Sequence, residues 1–395
     1  MKGQHSAQPH PASPAGAGVF RRIFGRKGWQ WPSTGRRWQP RATTGHLHRA
    51  RHGAYACLMR ETEGAAIVMR RYGGPEVLQI ERVRLPALLS GEIRVRAIAS
   101  AVNHADLEIR TGSWPILRPD PFPYIPGLEV TGEVVEVGPD VADFRIGDRI
   151  TTMMQGLGGV RARRPGGYAE YVTVDAGAAA PIGQRVDPLG MAALGLASVT
   201  AFEGLRRLGD IESRRVLVTG AAGGVGSAAV AIAKAQGAQV VGLLSTPEQN
   251  EYVRSLGASE THTSADAAAG RLEPESLDGV LDTVAGRSFG AYVSALRPGS
   301  TLSLVGAVGG SEVTFNAYRL LEVTLTGYSS ETLDGHSLRR AIGRISQWLI
   351  EGALRPPAAT SFPLSDAAAA HAALERHEIR GRALLVPGRI GSAPA

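Results

Sequence analysis

The stretch Gly220-Ala221-Ala222-Gly223-Gly224-Val225-Gly226 constrains this 395-residue chain more than any other feature. It directly follows a short apolar run, "RRVLVTG" (214–220). It directly opens the alanine-rich segment "SAAVAIAKAQGA" (227–238). A strand, a glycine turn and a helix in immediate succession form the setting in which such glycines carry information. Gly220 lets the strand turn sharply. Gly223 and Gly224 let backbone approach a pyrophosphate with no Cβ in the way. Gly226 lets the helix pack close to its sheet, and Val225 lies with these glycines at the helix start. The unpaired N–H groups there, and the positive end of the helix dipole, suit phosphate. The plain alternative is a tight turn of small residues, which without a ligand costs stability.

The rhythm around the turn sets the fold class. From Asp187 to Ser330, "QVVGLLS", "DGVLDTV", "TLSLVGAV" and "EVTLTGY" read as strands, with helical stretches such as "PEQNEYVRSLGA" between them. That alternation predicts a doubly wound parallel sheet, a Rossmann domain over 187–330. Upstream, "GEIRVRAIA", "EVTGEVVEVG" and "DRITTMM" are short strands punctuated by Gly and Pro, which predicts a compact β-rich domain over 59–186. Beyond Ser330 come a helix, "HSLRRAIGRISQWLIEGAL", and a strand, "RGRALLVPG", with nothing Rossmann-like after it. His371 and His377 fall in a helical stretch there and read as surface residues.

Residues 1–58 stand apart. They hold ten of the 43 basic residues and none of the 36 acidic ones, so the net charge of +7 belongs to them and the remainder is mildly acidic. Nucleic acid is therefore not expected as the main partner. With five prolines and no apolar period, this leader is expected to be disordered. Transit peptide, nucleic-acid arm carrying Trp29, Trp31 and Trp38, and upstream translated extension all remain open. The single cysteine, Cys57, excludes an intramolecular disulfide and a cysteine-rich structural zinc site. The longest apolar candidate, Val216 to Leu244, is broken by Lys234, Gln236, Gln239 and six glycines, so no membrane span is expected. A cytoplasmic location and a homodimer are expected.

The second strand of the parallel sheet bears on the cofactor. Dinucleotide folds that take NAD place an acid at its end to bond the ribose 2′-OH. Here Leu244, Ser245 and Thr246 occupy that place, and the first acid is Glu248. A neutral, hydroxyl-bearing pocket at Ser245 tolerates a 2′-phosphate, which predicts NADPH over NADH.

"VTGAAGGVGSAAVAIAKAQGA", "VNHADLEIRTGSWP", "PFPYIPGLEVTGEVVEVG", "FRIGDRI" and "GGYAEYV" arrive in an order that resembles the zinc-independent quinone oxidoreductases of the medium-chain dehydrogenase/reductase superfamily. The resemblance runs from about Ala65 to Pro387. It implies a GroES-like catalytic domain split by an inserted Rossmann domain, with residues 331–395 returning to the first domain. In zinc alcohol dehydrogenases of this superfamily a cysteine and a histidine ligand stand where this chain has Asn103 and Leu128, neither of which replaces them. No metal is expected.

The resemblance places Asn103 beside the nicotinamide and acceptor as the catalytic candidate; a turn-capping asparagine is the alternative. Thr200 matches a threonine near the nicotinamide ribose, or is a helix-start cap. Trp114 and Tyr124 line the acceptor pocket, or belong to the core. Asp106 is expected to order the Asn103 loop, and Tyr168 and Tyr171 to be structural. The expected activity is hydride transfer from NADPH to a quinone. A 2-alkenal or enoyl reductase, and an NADPH-binding relative with little turnover, are the alternatives.

Overall fold

The computed structural model describes residues 63–114, 122–155, 157, 164–379 and 381–388. The basic leader, with its tryptophans and Cys57, lies outside the described residues.

A hairpin of β1 (Glu63–Val68) and β2 (Gln79–Arg84) precedes β3 (Glu92–Val102), the longest strand and the hub of a seven-stranded sheet. Helix α1 (His104–Thr111) follows. Then come β4 (Glu129–Val137), β5 (Arg149–Met153), β6 (Tyr171–Asp175) and β7 (Ala179–Pro181), all in antiparallel pairs. Alternation along β3 sends Ile93 and Val95 into a core with Val130, Val134, Ile150 and Val172. Arg94 breaks the simple inside-outside pattern. It is buried, with its charge answered by Glu136 at 2.7 Å and the Pro86 carbonyl at 2.6 Å.

Helix α2 (Pro188–Arg206) leads out of this sheet. Asp187 caps it, accepting from the Leu189 and Gly190 N–H groups, and Pro188 starts it. By length and composition α2 is the one described helix able to cross a membrane, yet 89% of that window is buried inside the fold. It is a core helix, and it kinks at Gly195, where φ is 43°.

The second sheet is built from β8 (Arg215–Val218), α3 (Gly224–Ala235), β9 (Gln239–Leu244), α4 (Asn250–Ser255), β10 (Glu260–Thr263), α5 (Ser264–Ala268), β11 (Leu277–Asp282), α6 (Phe289–Ala295), β12 (Leu296–Leu304) and β13 (Thr324–Gly327). Its six strands are all parallel, in the order β10-β9-β8-β11-β12-β13. The chain starts in the middle, builds outwards one way and then the other. The strand order therefore reverses beside β8, and a crevice opens at the carboxyl ends of β8 and β11.

Helix α7 (Gly335–Glu351), β14 (Ala359–Pro363), α8 (Ala367–Glu375) and β15 (Arg382–Val386) complete the fold. β15 pairs antiparallel with β3, so the end of the chain returns to the first sheet. This is the GroES-like plus Rossmann architecture expected from the sequence.

Candidate active site

The glycine turn sits at the reversal point. Thr219, the last residue before it, donates from Oγ1 to Asp282 Oδ1 at 2.6 Å, and Thr283 bonds back to Thr219 through both N and Oγ1. These bonds lock the ends of β8 and β11 together. Burial raises the Asp282 carboxyl above its ordinary value, against hydrogen bonds from Thr219, Val284 and Ala285. Gly220 takes a φ of 56°, a region L side chains rarely adopt. A Cβ on Gly226 would lie 2.0 Å from the Gly220 carbonyl oxygen, so the first helical turn closes tightly over the bend. Gly223 is exposed, and a Cβ there would meet only the Gly220 oxygen. No side chain caps α3 at Gly223. Its first N–H groups have no partner within the helix and face the crevice end. This cradle fits a pyrophosphate.

Across from the turn stands Arg382, the first residue of β15. A Cβ on Gly224 would come within 2.6 Å of Arg382 Nη1. The same guanidinium donates from Nη2 to Asn103 Oδ1 at 2.9 Å and lies 3.5 Å from Glu129 Oε1. Asn103 Nδ2 donates to Glu129 Oε1 at 2.7 Å. The other carboxylate oxygen accepts from the Leu196 N–H at 2.8 Å. This explains the kink in α2: a Cβ on Gly195 would lie 2.0 Å from Glu129 Oε2. Burial raises the Glu129 carboxyl, and Arg382, Asn103 and Leu196 oppose that rise. Arg382 and Glu129 were not among the residues singled out as a site by sequence. The available signal was an acid inside the apolar "PGLEV" and a cation opening the apolar "RALLV".

Asn103 thus joins three elements, with both of its amide atoms bonded within the protein. Its backbone N–H donates to Asp106 Oδ2 at 2.9 Å, so Asp106 orders the loop as expected. Burial pushes the Asp106 carboxyl up to about 7, against the Asn103 hydrogen bond and with help from the nearby Glu129 charge. Behind it, the Tyr168 hydroxyl lies 3.0 Å from His371 Nε2. His371 is fully buried, a correction to its reading as a surface residue; burial, with the Arg110 charge, drives its pKa down to about 3, so the ring is neutral. His377 is exposed, as expected.

The remaining candidates fall around this centre. Thr200 is not a helix-start cap. It lies within α2 past the kink, and its hydroxyl donates to the Leu196 carbonyl at 3.0 Å. Ala197, one turn earlier, is 3.9 Å from the Gly224 Cβ position, which brings this face of α2 to the turn. Tyr124 is buried in the same apolar cluster as Leu128 and Tyr168. Trp114 is half-buried against that cluster, with its indole N–H buried and without a hydrogen-bond partner. Ser245 lies exposed just past β9, its N–H and hydroxyl both donating to Gln249 Oε1. Arg254, the nearest following cation, donates instead to Asn250 Oδ1 and the Ser259 carbonyl. Val225 is half-buried at the α3 start and packs on the core.

Residues 89–184 match the family model described as alcohol dehydrogenase GroES-like domain, and residues 224–347 the one described as zinc-binding dehydrogenase. Quinone oxidoreductase of Rattus norvegicus is 29% identical over 313 residues, 78% of this chain and 92% of that protein. The chloroplastic NADPH-dependent alkenal/one oxidoreductase of Arabidopsis thaliana is 30% identical over 329 residues, 82% of this chain and 80% of the relative. A mycobacterial quinone oxidoreductase structure superposes with a TM-score of 0.72 at 28% identity, covering 82% of this chain and all of its own.

Proposed function

The chain belongs to the medium-chain dehydrogenase/reductase superfamily, as a quinone oxidoreductase-like oxidoreductase that binds a pyridine nucleotide, and from that premise we propose that it reduces a quinone with NADPH and without zinc. The observation that carries this reading is the Arg382 hub. One guanidinium, buried at 7% exposure, reaches both the phosphate cradle at Gly224 and the Asn103–Glu129 pair.

Each residue then has a task. The α3 N-terminus and Arg382 would hold the pyrophosphate. Thr200 would border the nicotinamide ribose. Asn103, its amide bonded to Glu129 and Arg382, would position these two groups and its own loop beside the acceptor. Trp114 and Tyr124 bound the acceptor pocket. A bound nicotinamide supplies hydride, and the protein's part is to orient it and exclude side reactions. The reduced oxygen takes its proton from water, since Asp106 is buried behind Asn103 with Oδ2 on the Asn103 N–H.

The zinc-free part of the reading rests on donor chemistry. Leu128 has no donor atom, and the Asn103 amide is tied to Glu129 and Arg382. An ion there would have one carboxylate and no imidazole or thiolate.

A 2-alkenal or enoyl reductase is the second reading, favoured by the likeness to the alkenal/one oxidoreductase. NADPH oxidation measured across quinones, enals and enoyl thioesters separates the two. The proposal includes a cytoplasmic homodimer. In support, β13 is an edge strand, and the exposed Tyr318, Leu320 and Leu321 lie just before it. Light scattering giving a monomer mass would remove the dimer from the proposal.

A further inference from the structure

An open pocket lies at the opposite end of α3 from the glycine turn. It has a volume of 390 Å³ and is lined by Phe202 and Arg206 of α2, Gly209, Gln236 just past α3, and Arg340, Arg344 and Trp348 of α7. The 12 residues of α3 separate it from the cradle by about 18 Å at 1.5 Å per residue. Phe202 and Thr200 are two positions apart on α2 and so face different sides of the helix.

The lining is apolar below and cationic above. Phe202 and Trp348 are nearly buried, with ring centroids 6.2 Å apart and planes tilted by 59°. Arg206 and Arg340 both donate to Glu203, at 3.1 and 2.6 Å, and Arg207 shares the same carboxylate at 3.2 Å. Arg344 has no carboxylate partner among the described residues. Its Nη1 donates to Gln347 Oε1 at 2.8 Å, and its guanidinium lies 4.7 Å over the Trp348 ring. One carboxylate therefore answers three arginines, and the fourth, Arg344, has none among the described residues. The C-terminal ends of α2 and α3 carry partial negative charge here and offset part of that excess. Packing accounts for the Arg344 stem on Trp348. It accounts neither for an open pocket of this volume beside three helices nor for the positive charge of Arg344 at its mouth.

We propose that this cavity is a binding site for a small aromatic carboxylate, with its ring against Phe202 and Trp348 and its carboxylate held by Arg344 together with Arg206 and Arg340. Guanidinium groups suit such a ligand because they pair with a carboxylate through two parallel N–H bonds while stacking on aromatic faces. The site is separate from the reductase centre and independent of it.

The test is calorimetric titration of the full chain with three probes: 2-naphthoate, its neutral isostere 2-naphthalenemethanol, and inorganic phosphate. One naphthoate should bind per chain, with the alcohol and phosphate each at least about tenfold weaker. Arg344→Ala, an exposed change, should weaken naphthoate about tenfold and leave NADPH oxidation unchanged. Gly224→Val, which fills the cofactor cradle, should leave naphthoate binding intact. Equal binding of naphthoate and the alcohol would overturn the proposal, as would indifference to Arg344→Ala, or binding too weak to saturate. Loss of naphthoate binding in Gly224→Val would place the probe in the reductase centre and overturn it too.

Discussion

Arg382 and Gly224 lie so close that a Cβ on the glycine would stand 2.6 Å from Arg382 Nη1, although 158 positions separate them in the chain. The C-terminal strand of one sheet thereby touches the glycine turn of the other. A Gly224→Val side chain must displace the guanidinium or project into the cradle. Because the neighbouring atom is the far end of a flexible side chain, the fold should survive. NADPH binding and turnover should be lost together, read by fluorescence titration and absorbance, with an unchanged circular dichroism spectrum.

Removing Arg382 should do more damage. Arg382→Ala leaves Glu129 buried without its cation, which costs on the order of 3–5 kcal/mol in urea unfolding. The double change Arg382→Met with Glu129→Gln should recover much of that stability while still failing to bind NADPH tightly. Equal losses in the single and double variants would show that the pair is not coupled.

Asp106 gives a pH dependence with a definite sign. Its carboxyl titrates near 3.8 when unfolded and about 7 when folded. The fold thus favours the protonated acid, and this contribution is complete below about pH 3.8 and is lost as pH rises towards 7. His371, lowered to about 3, acts in the opposite sense, so the whole-protein curve mixes both. Asp106→Asn keeps an acceptor for the Asn103 N–H and removes the titration. The stability gap between wild type and Asp106→Asn should shift in favour of wild type by about 1 kcal/mol or more on going from pH 8 to pH 5. Parallel curves would contradict the assignment.

The cofactor prediction rests on Ser245. Its N–H and hydroxyl converge on Gln249 Oε1, the nearest carboxylate, Glu248, bonds to the Thr246 side chain, and Arg254 is turned to other partners. With no acid at Leu244, Ser245 or Thr246 themselves, NADPH should bind more tightly than NADH. Ser245→Asp should flatten or reverse this preference by repelling the 2′-phosphate. Equal binding of both nucleotides to the unmutated protein would remove the NADPH reading.

Local pattern carried the parts of this molecule that depend on neighbours in sequence. The run from Arg215 through the glycines to Ala235 shows its strand, turn and helix in consecutive residues, and the alternation around it implies the parallel sheet. The Arg382 hub was not legible in that way. Its partners, Asn103 and Glu129, are 279 and 253 residues away, and a single arginine at a strand start resembles a surface residue. His371 was misread because "AAAAHAAL" offers no polar face to set against an apolar one, and its partner Tyr168 is 203 residues away. The kink at Gly195 was hidden because α2 reads as one apolar helix; the carboxylate that requires the glycine belongs to β4.

Metal-free hydride delivery from NADPH to a quinone is the reaction proposed for the centre that Asn103 organises. Stopped-flow absorbance at the nicotinamide band tests it most directly, using protein whose zinc content has been measured and a simple benzoquinone as acceptor. Protein without stoichiometric zinc should oxidise NADPH steadily. Asn103→Ala should still bind NADPH but reduce the quinone about 10- to 1000-fold more slowly, through loss of the amide that fixes Glu129 and Arg382 at the reacting centre. Turnover that appears only with about one zinc per chain, or tight NADPH binding with no reduction of any quinone, would contradict the account.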